Sequence, residues 1–193
     1  MELLCGGVRV VLADGPSGRE RKTLLDRACG LLPFDNAGCV LQKSPLGAPR
    51  LVGAHRTPAL SFTRAGDRQW AAAAWAGGLG VDAACAGEFE PPYPVDRVFG
   101  PDERDLADCA GLSAQSTLAL LWAFKEAAAK ALGTGFNTVE PIELRVGGLG
   151  FRDREARAVV VAPGCELDAV AVPMGDCWLA VAVSREQEED LDA

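Results

Sequence analysis

The chain has 193 residues, 49% of them hydrophobic, 24% charged and 6% aromatic, with a formal net charge of -8. At about 100–200 residues per domain this length makes one domain, or two small lobes sharing a core, and it buries most of its apolar surface without staples. The overall acidity argues against general nucleic-acid binding.

No apolar run approaches the roughly 18–20 residues of a membrane span, and the Met1-Glu2-Leu3-Leu4 start lacks the basic residues of a signal peptide, so a cytoplasmic protein is expected. Seven cysteines, at positions 5, 29, 39, 85, 109, 165 and 177, are an odd number without a Cys-x-x-Cys pair. That pattern speaks against a disulfide framework and against a zinc knuckle. The single histidine, His55, excludes a multi-His metal site and reads as a surface residue beside Arg56.

In chain order, a strand over Val8–Ala13 leads into Asp14-Gly15-Pro16-Ser17, where Ser17 can cap a helix from about Gly18 to Leu32. Short strands are predicted near Cys39–Gln42, Arg50–Val52 and Ala59–Thr63. Residues Arg68–Ala76 are ambiguous, alanine-rich but bounded by Gly66-Asp67 and Gly77-Gly78, and read as a strand. Leu79–Ala84 is another strand, Glu88–Gly100 a loop, and Pro101 opens a helix through about Cys109. The strongest element is a helix from Ser113 or Ser116 through Leu132, stopped by Gly133. Strands follow near Glu143–Val146, Ala156–Val161, Leu167–Val172 and Trp178–Val183, with Gly147-Gly148-Leu149-Gly150 read as a turn. Each half is a helix plus antiparallel strands, which predicts an α+β fold of two similar lobes: 1–78, 79–185 and an acidic tail over 186–193.

Charge divides with the lobes. Residues 1–75 carry ten Lys/Arg against six Asp/Glu, and residues 76–193 nine against twenty-one. A basic first half suits an anionic ligand and an acidic second half a cation, although chance segregation gives the same count.

The long helix holds Trp122, Lys125, Glu126, Ala129 and Lys130 close to one stripe. One reading makes Glu126 and Lys130 a surface i,i+4 ion pair with Trp122 in the core. The other joins Glu126 to Asp82, at the end of the strand Gly80-Val81-Asp82. Two carboxylates beside lysines then form an oxygen site suited to Mg²⁺, which takes one or two carboxylates and completes its shell with phosphates and water. There is no Gly-x-Gly-x-x-Gly, no Gly-x-x-x-x-Gly-Lys and no Gly-x-Ser-x-Gly, which removes several nucleotide-binding and hydrolase classes.

Gly80-Val81-Asp82 and the run Trp122-Ala123-Phe124-Lys125-Glu126-Ala127-Ala128-Ala129-Lys130 resemble the signature of the 4'-phosphopantetheinyl transferases, a Gly-hydrophobic-Asp strand followed by a Trp-x-x-Lys-Glu-Ala-x-x-Lys helix. Gly47-Ala48-Pro49, Ser61-Phe62-Thr63-Arg64 and Phe99–Leu106, with Glu103 in the acidic place, extend the similarity over about residues 40–185. The resemblance implies a two-lobed, monomeric, Mg²⁺-dependent enzyme. Such an enzyme moves phosphopantetheine from coenzyme A to a serine hydroxyl of an apo-acyl or peptidyl carrier protein and releases 3',5'-ADP.

It further implies Asp82 and Glu126 as metal ligands, with Glu126 as the proton acceptor and Lys130 on the pyrophosphate. Lys125 becomes a secondary helper, Ser61, Thr63 and Arg64 bind the 3'-phosphate, and Arg50 lies near the adenine. Three positions depart from the family pattern. Ala84 stands where the larger class has a second acid, Ala48 replaces a lysine, and Arg64 replaces a histidine. Those departures motivate a second reading, a non-catalytic protein on the same fold that binds a carrier protein or coenzyme A.

Overall fold

A computed structural model describes residues 1–108 and 111–184. The elements in order are β1 (Glu2–Cys5), β2 (Val8–Pro16), α1 (Arg21–Leu31), β3 (Val40–Lys43), β4 (Pro49–Val52), β5 (Ala59–Ala65), β6 (Arg68–Ala74) and β7 (Gly78–Cys85). They continue with α2 (Val95–Val98), α3 (Pro101–Asp108), α4 (Ala114–Ala131), β8 (Arg145–Arg152), β9 (Glu155–Ala162), β10 (Cys165–Met174) and β11 (Cys177–Ser184). Two antiparallel sheets result, β1-β2-β6-β5 and β7-β11-β10-β9-β8, with a small β3-β4 ribbon beside the first. Each large sheet carries one long helix, so the α+β fold of two similar lobes is observed.

Alternation of side chains along the strands builds three apolar layers. Val11, Ala13 and Ala73 face α1 through Leu25, Ala28 and Cys29. On the opposite side of the same sheet, Val10, Leu12, Trp70 and Ala72 meet Val81, Val170, Leu179 and Val181 of the second sheet. The far face of that second sheet, with Leu167, Ala169 and Ala180, packs on Leu120, Leu121, Phe124 and Ala128 of α4. The order is therefore helix, sheet, sheet, helix. Each fully buried Leu or Phe in these layers contributes about 1.5–3 kcal/mol.

Helix α4 starts where Ser113 accepts a hydrogen bond from Ser116 N at 3.2 Å and stops at Gly133, whose φ of +76° is a left-handed conformation that glycine adopts freely. It lies unusually close to β7. A Cβ placed on Gly80 would come within 1.7 Å of Ala127 O, and one on Gly78 within 2.2 Å of Ala131 O. The glycine of the Gly-hydrophobic-Asp motif thus permits backbone contact between strand and helix, which sets the separation of Asp82 from α4.

Several sequence expectations shift. Helix α1 begins at Arg21, because β2 continues through Pro16 and the turn that follows takes up Ser17; no side chain caps it. Strand β1 was hidden by the short Leu3-Leu4 signal and forms by pairing with β2. Residues 88–100 include one helical turn, α2. Gly147–Gly150 is a bulged part of β8 instead of a turn, since its backbone pairs with β9 on both sides of the irregularity. Cys109 and the 186–193 tail lie outside the described residues. The cysteine pattern speaks against a disulfide framework, yet one pair, Cys85 and Cys177, directly opposed on β7 and β11, is bonded. No helix among the described residues is long and apolar enough to cross a membrane.

Candidate active site

The edge strands β5 and β7 run side by side where the two sheets meet. Ser61 Oγ accepts from Val81 N at 2.9 Å, and Thr63 Oγ1 donates to Asp82 Oδ1 at 2.9 Å, so the first lobe fixes the backbone and the carboxylate of β7. Asp82 emerges on the α4 side, where Lys130 Nζ donates to its Oδ1 at 2.6 Å and to Val81 O at 3.1 Å. Lys130 therefore pairs with the strand, not with Glu126 one turn back on its own helix, and the surface i,i+4 pair is not formed.

Glu126 makes no hydrogen bond with another described residue. Burial first, then the charge of Asp82, push its carboxyl up from 4.5 to about 6, against a smaller opposing pull from Lys130. Tyr93, half-buried nearby, is raised by burial and then by the charges of Glu88 and Glu126.

Asp82, Glu126 and Lys130 form the floor of a cleft of about 710 Å³ whose walls are Arg19, Arg21, Thr63, Arg64 and Trp70. Gln69 Nε2 donates to Pro16 O and Arg19 O, at 3.1 and 2.6 Å, which anchors the turn that carries Arg19. Arg21 stands over the ring of Phe62 with 5.5 Å between guanidinium carbon and ring centre. Both of those residues, with Lys130, also border an adjoining cleft of about 330 Å³ that includes Lys43, Ala48, Ser61, Thr134 and Asn137. Among the described residues none of Arg19, Arg21 and Arg64 is engaged in an ion pair, so three guanidinium groups and an ammonium face the floor carboxylates. Such a surface is chemically suited to a polyanion, and its two carboxylates to a divalent cation.

The sequence-selected residues divide accordingly. Asp82, Glu126, Lys130, Thr63 and Arg64 gather at the first cleft. Thr63 gives its hydroxyl proton to Asp82, while Ser61, 3% exposed, accepts from Val81 N and borders the second cleft, so both hydroxyls tie the first lobe to β7. Arg50, exposed on β4, lines neither cleft.

Lys125, read from the sequence as a secondary helper, lines neither cleft. Its side chain is fully buried and donates to Glu103 Oε2 at 2.8 Å and to the carbonyls of Val98 and Pro141, each at 2.9 Å. Desolvation pulls its pKa down, and Glu103 opposes that. Ala84, where a second acid was looked for, is 1% exposed in the α4 core. Glu88 turns instead to cap Cys85 N at 2.8 Å. Sequence reasoning missed Arg19, Arg21, Lys43 and Tyr93. The first two lie just before and at the start of α1, and their only sequence signal was the basic excess of the first half.

Comparison with known proteins follows the same geography. No curated protein matches the chain. Among solved structures, the Chronobacterium ammoniagenes ACPS-CoA complex is 25% identical, with a TM-score of 0.42, over 56% of this chain and 98% of its own. Residues 78–160 match the family model described as the 4'-phosphopantetheinyl transferase superfamily. Strand β7 and helix α4, which contribute Asp82, Glu126 and Lys130, lie wholly inside that match, so the part of the chain that carries the cleft floor is similar to the 4'-phosphopantetheinyl transferase superfamily.

Proposed function

We propose that the protein transfers 4'-phosphopantetheine from coenzyme A to a serine hydroxyl of an apo-acyl or peptidyl carrier protein, with Mg²⁺, releasing 3',5'-ADP. The observation that carries this reading is the meeting of Asp82 and Glu126, from two elements of the matched lobe, on the floor of a cleft walled by Arg19, Arg21 and Arg64.

The donor set fits a hard cation. Among the described residues Asp82 Oδ2 and both Glu126 oxygens have no hydrogen-bond donor, and burial together with the charge of Asp82 raises Glu126. Asp82 and Glu126 would hold Mg²⁺, which when bound supplies charge neutralisation at the pyrophosphate. Glu126, lining the cleft beside Asp82, would take the serine proton. The serine oxygen bonds to the phosphorus that carries pantetheine as the bond from that phosphorus to the 3',5'-ADP oxygen breaks. Lys130 has an ammonium within reach of the leaving phosphate, and Arg19, Arg21 and Arg64 orient the coenzyme's phosphates by forked hydrogen bonds. The vacancy at position 84 leaves a two-carboxylate centre.

Intact-protein mass spectrometry of a panel of apo-carrier proteins incubated with coenzyme A, Mg²⁺ and the protein tests this. A metal-dependent gain of one phosphopantetheine group is expected, abolished in Asp82→Asn. Equal transfer by that variant, or no gain and no coenzyme A binding by the wild type, overturns it.

A further inference from the structure

The β7–β11 ladder ends with Cys85 opposite Cys177, and the turn before Cys177 presents Asp176. One potential ligand atom from each of these three residues lies within 4.8 Å of the other two, and Asp176 Oδ1 is 3.4 Å from Cys177 Sγ. The backbone is held as well, because Ala86 N donates to Asp176 O at 3.0 Å. Cys85 and Cys177 are half-buried and Asp176 is exposed. Both cysteines and the aspartate line a cleft of about 680 Å³ between the 65–68 and 173–177 turns, with Trp70, Ala83 and Met174 as its apolar wall. Cys85 is an odd number of residues from Asp82, so strand alternation directs it to the opposite face of β7. The two groups of potential ligands are separate centres.

We propose that Cys85, Asp176 and Cys177 form a redox-gated site for a borderline-soft divalent cation of the Zn²⁺ class. In the oxidised protein the sulfurs are bonded to each other and the site is closed. A dithiol reductant supplies two electrons and two protons, is itself oxidised to its cyclic disulfide, and converts the bridge to two thiols. Cation binding then expels those two protons, leaving two thiolates and one carboxylate as ligands. Two Zn–S bonds of about 2.3 Å at a tetrahedral angle place the sulfurs roughly 3.7 Å apart. That separation calls for rotation of the two cysteine side chains, which are half-buried and both line the cleft. Two thiolates select Zn²⁺ over Mg²⁺, which takes oxygen ligands. Three protein ligands leave a fourth position facing the cleft.

The test uses Co²⁺ as the spectroscopic probe on full-length protein. Samples are either air-oxidised or reduced with dithiothreitol and desalted anaerobically. Expected are two more reactive thiols per chain after reduction and sulfur-to-cobalt charge-transfer absorption near one equivalent of Co²⁺ in the reduced sample alone. Zn²⁺ should displace the cobalt. Cys85→Ser and Cys177→Ser should each lose most of the absorption, and Asp176→Ala should keep it with affinity at least tenfold weaker. Circular dichroism confirms that each variant is folded. The same absorption from the Cys85→Ser/Cys177→Ser double variant assigns it to other cysteines and overturns the site. Its absence from the reduced wild type does likewise, and no gain of thiols on reduction overturns the gate.

Discussion

Glu126 sits in an environment that opposes its charge, and that cost has a measurable signature. Its pKa is raised from 4.5 to about 6, so the folded chain binds this proton more tightly than the unfolded chain does. Without metal, the stability contribution of Glu126 therefore falls as pH rises from about 4.5 to 6, reaching a penalty of about 2 kcal/mol above that window. Glu126→Gln is expected to raise the urea midpoint of the metal-free protein at pH 7 and to leave it little changed at pH 4, while abolishing transfer. An unchanged midpoint at pH 7 contradicts the assignment. In the wild type, Mg²⁺-dependent coenzyme A binding should weaken as pH drops through about 6, read by calorimetry. Lys125 and Glu103 form the opposite kind of pair, wholly buried and mutually satisfied, with Glu103 Oε1 also accepting from Val146 N at 2.8 Å. Glu103→Ala leaves an uncompensated buried ammonium and is expected to cost about 3–5 kcal/mol in denaturant unfolding. This pair shows why Lys125 was misread from sequence. A motif gives spacing along a helix, and only the fold decides which side of the helix is covered by α3 and the 141–143 turn.

At the scale of elements, the contact of α4 with β7 controls the geometry of the site. Gly80→Ala drives a Cβ into Ala127 O and must separate strand from helix, at a cost of about 3 kcal/mol and with loss of Mg²⁺ response even where the variant folds. A Tm within a degree or two of wild type contradicts this. Elements with strong local signals were legible in the sequence: the capped, Gly-terminated α4, the Val/Ala-rich β9 to β11, and β6, whose flanking glycine turns outweighed its helix-forming alanines. Illegible were those that exist through partners. Strand β1 has four residues and needs β2, while the glycines of β8 signal a turn until β9 supplies hydrogen-bond partners. That Asp82, Glu126 and Lys130 come together at one cleft could be read because one strand and one helix carry them. Arg19 and Arg21 could not, because they reach the site through the way the first lobe is laid against the second.

For the molecule as a whole, net acidity and local charge point in opposite directions. The chain carries -8, yet its cleft is walled by arginines from the basic first lobe. Attraction of a phosphate-rich ligand should therefore be local and salt-sensitive. Arg64→Ala is expected to weaken coenzyme A binding about tenfold or more at low ionic strength, with a smaller loss at 0.5 M salt. Equal loss at both concentrations would mean that Arg64 acts by packing.

The layer between the two sheets, built from Val10, Leu12 and Trp70 on one side and Val81, Leu179 and Val181 on the other, is a single continuous core. Its consequence is mechanical. Lobes fused through such a layer are expected to move as one body, so that filling the cleft reorients the long cationic side chains of its rim and leaves the two sheets in place. Exchange of a small ligand should accordingly be limited by encounter and by those side chains, and the overall dimensions of the molecule in solution, measured by X-ray scattering, should be the same before and after the cleft is filled.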